Sequence, residues 1–209
     1  GFYYKTFIRP RKLWPLYEKI LRNAAGLGKL DPSGARTERV DGEYRHADVL
    51  VLGGGPAGLE AAIEAAEGGE SVVVIDEGPE VGGGLLAERD GVPTARALAQ
   101  RAREAGVELI APAIAIGLFE QGFVPVAHGN LLLKFRAHRV IVASGIVEQP
   151  LVFPGNDLIG VMLPDGVRRL VNYWSIRPGE RAVVLTADDR GRRAADDLEA
   201  VGVDVAKVI

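Results

Sequence analysis

The chain has 209 residues and a mass of 22.3 kDa, with 47 % hydrophobic and 25 % charged residues. That length suits one large domain, or one domain plus part of a second, and the composition excludes a disordered polypeptide. The 25 basic and 28 acidic residues leave a formal net charge of −3, which gives no general pull toward nucleic acid or an anionic membrane. The absence of cysteine excludes disulfides, iron–sulfur ligation and a thiol nucleophile.

The longest uncharged apolar run, Leu109–Phe119, has 11 residues and contains Pro112 and Gly117. It falls short of the roughly 18 residues of a membrane span. No basic stretch followed by an apolar one marks a secretory leader, so the expected location is cytoplasmic. Glycine is in excess, at 27 of 209 residues, against a usual share of about 7 %. Such an excess serves local backbone needs.

Residues 1–45 read as an aromatic and basic arm, with Tyr3, Tyr4, Phe7 and Trp14 among Lys5, Arg9, Arg11 and Lys12; only Tyr17–Leu27 has helical spacing. Residues 46–150 alternate strand and helix. Asp48–Leu52 is a buried strand, Pro56–Glu67 an Ala-rich helix with proline in its first turn, and Ser71–Asp76 a strand apolar on both faces. The last pattern predicts a central parallel strand with helices on either side. A glycine-rich loop, a helix over Thr94–Ala105 and a strand at Val107–Ile110 follow.

Three short runs, Ala113–Glu120, Phe123–Ala127 and Leu131–Phe135, are separated by turn residues and predict an antiparallel meander. Arg139–Ala143 then predicts one more buried strand. Residues 151–209 hold a Pro/Gly-rich crossover and a helix over Gly166–Trp174. A second strand–helix–strand follows, built from Arg181–Leu185, Arg190–Val201 and Val203–Val208. One such unit cannot bury both faces of its sheet, so it reads as a partial second domain.

The strongest chemical signal is Gly53-Gly54-Gly55-Pro56-Ala57-Gly58, which directly follows a buried strand and opens a helix. In that context G-x-G-x-x-G points to a dinucleotide. Gly53 permits the tight turn, Gly55 lets backbone approach a pyrophosphate, and Gly58 lets the helix pack on the strand. The helix N-terminus then offers free N–H groups and about half a positive charge to the phosphates. The pattern also demands an acid at the end of the second strand to hold a ribose diol. Asp76 meets that demand, with Glu77 beside it. The next arginine is Arg89, so a 2′-phosphate has no partner nearby. FAD and NAD both carry an adenosine ribose, and the acid does not separate them.

Gly83 and Gly84, in the run Gly82-Gly83-Gly84, would let backbone pass close to the dinucleotide. Ser144 and Gly145 end the last strand of residues 46–150, where the carboxyl edge of the sheet faces a cofactor. Ile114 and Ala115 are expected near the adenine from the position of the meander. The second strand–helix turn, Thr186-Ala187-Asp188-Asp189-Arg190-Gly191, has no G-x-G-x-x-G and sets two carboxylates where phosphates would lie. Like charge there costs about 1–4 kcal/mol per pair, so Asp188 and Asp189 read as helix caps and one dinucleotide is expected. His46, His128 and His138 lack metal spacing, and no metal is expected. The fold class is therefore α/β, a Rossmann-like FAD- or NAD-binding parallel sheet with an antiparallel meander and a partial second βαβ domain.

These residues resemble the dinucleotide-binding half of the FAD/NAD-linked disulfide-reductase superfamily. Four stretches resemble, more narrowly, the alpha subunit of heterotetrameric sarcosine oxidase and its relatives, dye-linked proline dehydrogenase and opine oxidase subunits. They are Tyr3–Phe7, Ala25–Gly28, Pro150–Asp157 with Gly160–Leu163, and the Asp188-Asp189 turn. The resemblance implies a subunit of an amine-oxidising oxidoreductase, with a small secondary amine as substrate and with other oxidoreductase subunits, or a second copy, as partners. It favours NAD at Gly53–Gly58 and Asp76, whereas the wider superfamily favours FAD; it names no catalytic residue here. Against the family's full-length pattern the chain reads as a partial one. The alternative expectation is a non-catalytic nucleotide-binding scaffold that docks a catalytic flavoprotein.

Overall fold

The computed structural model describes residues 13–24 and 41–209. Residues 1–39 and 40–209 form separate units. In the first, helix α1 spans Trp14–Ala24, three residues ahead of the predicted start. Of the rest of the expected arm, residues 1–12 and 25–40 lie outside the described residues, and Asp41–Arg45 opens the first strand of the second unit instead.

The second unit is built on a six-stranded sheet. Its elements are β1 (Asp41–Leu52), α2 (Pro56–Glu67), β2 (Val72–Ile75), α3 (Gly91–Glu104), β3 (Glu108–Ile110), β4 (Ile114–Ala115), β5 (Phe123–His128) and β6 (Leu131–Val142). Strand order is β3-β2-β1-β6-β5-β4. β1 pairs in parallel with β2 and β6, and β2 in parallel with β3, while β4, β5 and β6 run antiparallel. Chain order reverses direction between β1 and β6, so the crevice at the carboxyl ends of these strands is a topological switch point.

Two runs expected as separate strands, Leu131–Phe135 and Arg139–Ala143, are parts of the single strand β6. β1 likewise starts at Asp41, seven residues before the apolar run, and pairs with β6 from Asp41↔Leu131 to Leu52↔Val142. The early half of β1 is polar and mostly exposed, so no apolar periodicity marks it. Cross-strand packing stabilises it instead: the Arg45 guanidinium lies over the Phe135 ring at 5.6 Å and the Lys134 ammonium over Tyr44 at 4.9 Å. β6 is buried in its middle but not at its end, where Val142 is exposed.

All four residues of β2 are buried, as predicted, but among the described residues helices cover only one face of the sheet. On that face Val49, Val51, Val72 and Val74 pack against Leu59, Ile63 and Leu98 of α2 and α3. On the other, Leu50, Val73 and Ile75 pack with Val124 and Val126 of β5 and Leu133 and Phe135 of β6. The curled meander replaces the second helical layer, because a β layer with apolar inward side chains buries the same face.

After the irregular crossover come α4 (Pro164–Asn172), β7 (Arg181–Val184), α5 (Asp189–Ala200) and β8 (Asp204–Val208). β7 and β8 form a two-stranded parallel sheet. Its small core joins Val167 and Val171 of α4 to Leu198 and Val203. The uncovered side leaves Val183 exposed. Among the described residues, no helix is long and apolar enough to cross a membrane.

Candidate functional site

The bend between β1 and α2 is shaped by glycines with different tasks. Gly53 has φ +110°, and a Cβ there would lie 2.2 Å from the Ala143 carbonyl oxygen. A Cβ on Gly58 would lie 2.0 Å from the Gly53 oxygen, so this glycine draws α2 onto the strand. Gly54 points inward; its amide donates to Asp76 Oδ2 at 2.6 Å and its carbonyl accepts from the Gly82 amide at 2.8 Å.

Gly55 alone faces open space. Its φ of −73° suits any residue, and the nearest atom to a Cβ is Gly83 Cα at 3.7 Å. The amides of Gly55, Ala57 and Gly58 have no hydrogen-bond partner among the described residues, and Pro56 has none to satisfy. The first turn of α2 therefore directs unpaired donors and its positive dipole end outward.

The second glycine cluster completes this wall. Gly82 and Gly83 have φ of +143° and +53°, and a Cβ on Gly83 would meet Gly55 Cα at 2.7 Å. The predicted loop is a 3₁₀ turn, Gly83–Ala87, laid on the first bend. Asp76 staples the loops from below, since its Oδ1 also accepts from the Gly78 amide at 2.7 Å.

Above these bends lies a cleft of about 920 Å³, at the upper end of the usual range for small-molecule sites. Gly53, Gly55, Pro56, Ala57, Asp76, Glu77, Gly83, Gly84, Ile114, Ala115, Ser144 and Gly145 all border it. Gly54 and Gly58 do not; they shape the bend from behind. His46, His128 and His138 lie on strands away from the cleft. His128 Nδ1 is 2.8 Å from the Pro112 oxygen, and no cluster of metal-ligating side chains occurs among the described residues.

The far wall of the cleft was not foreseen. Arg168, Arg169, Arg190 and Arg193, from α4 and α5, border it. Arg168 is buried; its Nη1 and Nη2 donate to the two Glu88 oxygens at 3.0 and 2.7 Å, and its Nε to Asp197 at 2.8 Å. Asp197, also buried, accepts in addition from Arg89 and from Asn172. The hydrogen bonds from Arg168 hold the Glu88 carboxyl below its ordinary range. Burial alone would raise Asp197, yet its bonds from Arg168 and Asn172 outweigh that and lower it. The bonded pairs lie 25 to 108 positions apart in sequence, and no local spacing marks them.

At the second bend Asp188 caps α5, accepting from the Arg190 amide at 3.0 Å, as expected, while Asp189 is the first helical residue. A Cβ on Gly191 would lie 2.3 Å from Thr186, so here too a glycine packs helix on strand.

The sequence model of the FAD dependent oxidoreductase family matches residues 48–119, from β1 past the meander's first strand. The sarcosine oxidase alpha subunit of Rhizobium meliloti (strain 1021) is 35 % identical over 232 aligned positions, covering 100 % of this chain and 23 % of that protein. An opine oxidase subunit of the same strain is 31 % identical, over 66 % of this chain and 33 % of its own. Among solved structures, the L-proline dehydrogenase from P. horikoshii matches with a TM-score of 0.72 and 28 % identity, over 80 % of this chain and 36 % of that one. The chain thus spans about a quarter of the length of the sarcosine oxidase subunit it matches. The fold, the glycine bend and a similarity that runs over the whole of this chain make it a relative of the sarcosine oxidase alpha subunits, with residues 48–119 matching the FAD dependent oxidoreductase family.

Proposed function

We propose that the cleft holds one adenine dinucleotide, FAD, within an oxidoreductase that acts on small secondary amines. The observation that carries this reading is the pair of unpaired amides at Gly55 and Ala57, both bordering the cleft, beside a Cβ-free surface at Gly55 and Gly83. A diphosphate satisfies those donors and the dipole of α2 together. Asp76 would take the adenosine ribose: its two oxygens each retain a lone pair beyond the amides they already hold. Ile114 and Ala115 supply an apolar edge for the adenine, and Ser144 and Gly145 border the opposite end of the cleft.

Bound there, FAD would supply two-electron chemistry; this chain's residues bind and orient the nucleotide. The family match over residues 48–119 supports FAD over NAD. The relatives are named as oxidase subunits, which favours assembly with further subunits. Ile146, Val147, Val152 and Ile159 of the crossover are exposed and supply apolar surface for such assembly. The test is to denature the purified chain and weigh the nucleotide released. FAD, with a flavin band in the native spectrum, is the expected result; a colourless protein releasing NAD would favour the scaffold alternative, and no adenine nucleotide at all would sink the proposal.

A further inference from the structure

The glycine bend offers a diphosphate amides and a dipole but no full positive charge, because residues 53–58 include no basic side chain. The same cleft is bordered by Asp76, Glu77, Glu80 and Glu88, so a dianionic group entering it needs a cation nearby. Of the adjacent arginines on α4, Arg168 is fully engaged by Glu88 and Asp197. Arg169 is different. It is half-buried, borders the cleft and forms no ion pair among the described residues.

Its position is fixed by one hydrogen bond, from Nη2 to the Gly83 carbonyl at 3.3 Å. Gly83 itself stands against Gly55, 3.7 Å from where a Gly55 Cβ would be. The guanidinium is therefore tethered one residue from the surface that carries the unpaired amides, and a guanidinium has five N–H donors, of which this bond uses one. Arg168 anchors the same helix turn through its buried pairs, which restricts the reach of Arg169 at little entropic cost.

We infer that Arg169 is a cationic clamp on the diphosphate of the dinucleotide, reaching from α4 across the cleft to the ligand held by the β1–α2 bend. The inference rests on the dinucleotide reading above. It assigns α4, from the second strand–helix–strand region, a direct part in binding at the first, through charge-assisted bonds stronger than those of the neutral amides.

The test uses the full chain, stripped of nucleotide, with Arg169→Gln and Arg169→Lys, titrated with FAD, NAD, ADP and adenosine at low and high salt. Arg169→Gln is expected to weaken the diphosphate ligands about tenfold and to flatten their salt dependence. Arg169→Lys should recover part of the affinity and the salt dependence. Adenosine reaches Asp76 but carries no phosphate, and its binding should not change. Unfolding of the unliganded Arg169→Gln chain should stay close to wild type. Full affinity with an unaltered salt slope overturns the inference, as does an equal loss for adenosine, which would mark a structural role. If wild type binds none of the three diphosphate ligands, the dinucleotide reading falls and this inference with it; if only the variants fail to differ, this inference falls alone.

Discussion

Replacing Asp76 by Asn separates what this carboxylate does for the loop from what it does for a ligand. In the unliganded chain Oδ2 accepts from Gly54 at 2.6 Å and Oδ1 from Gly78 at 2.7 Å, so both oxygens face N–H donors. An amide side chain keeps one oxygen and turns an NH₂ group toward the other donor. One charge-assisted bond is lost, and a part-buried N–H is left facing another donor. Hydrogen bonds to charged groups contribute about 1.5–3 kcal/mol, so Asp76→Asn should lower unfolding stability by about that amount with no nucleotide present. Urea unfolding followed by far-ultraviolet circular dichroism reads this as a lower midpoint at unchanged slope. FAD titration without denaturant, well below the unfolding temperature, should then show a separate loss of affinity from the ribose contact. An unchanged midpoint in the unliganded chain would refute the staple, and Asp76 would have to act on the ligand alone.

Gly55→Leu should unfold within about 1 kcal/mol of wild type, because φ at this position suits any residue and a Cβ meets nothing closer than 3.7 Å; the same variant should retain no nucleotide, and copurification of FAD at wild-type stoichiometry would contradict the open-surface argument. Asp197→Ala removes a buried acceptor shared by Arg89, Arg168 and Asn172. Breaking a buried pair costs about 3–5 kcal/mol, and the lower end is expected because Glu88 still holds Arg168; a measured loss below about 1 kcal/mol, the size of an exposed pair, would count against the network. Both Glu88 and Asp197 titrate below their ordinary values when folded, so their contribution is complete above about pH 4.5 and is lost as the pH falls through the lowered values. The stability gap between wild type and Asp197→Ala should accordingly shrink in acid below pH 3.8, and a gap that stays constant down to about pH 2 would show that the carboxylate is not the source.

The residues of the first bend were legible in the sequence because their signals are local. A strand, a three-residue turn and a helix start leave a fixed spacing, and Asp76 follows at the end of the next apolar run. The parallel strands β2 and β3 and the meander turns were legible for the same reason. What escaped was long-range. The polar half of β1 becomes a strand only because β6 pairs with it, and nothing in Asp41–His46 alternates. The covering of the second sheet face by β5 and β6 rather than by helices could not be read from β2, since a residue buried under a strand looks the same as one buried under a helix. The Glu88–Arg168–Asp197 network joins three elements whose charges, taken singly, resemble solvated surface.

The two bends of this chain, read together, divide the glycine motif into a part the fold needs and a part a ligand needs. At both, a glycine closes the helix on the preceding strand: Gly58 against Gly53, and Gly191 against Thr186, with no room for a Cβ in either case. The spacing is shared, since Thr186, Asp188 and Gly191 stand in the register of Gly53, Gly55 and Gly58. The difference lies in the amides. At the second bend the Asp188 carboxylate takes the Arg190 amide, and the Asp188 amide donates to Thr186 Oγ1, so the bend satisfies itself. At the first, Asp76 takes the Gly54 amide, but among the described residues no side chain takes those of Gly55 and Ala57, and Gly55 stands where a capping carboxylate would otherwise be. A buried or half-buried donor left unpaired costs more than a made bond returns, so a first bend that carries no cap of its own would be stabilised by an anion from outside. That asymmetry, rather than the count of glycines, supports one dinucleotide site in this chain and its position on the β1–α2 bend.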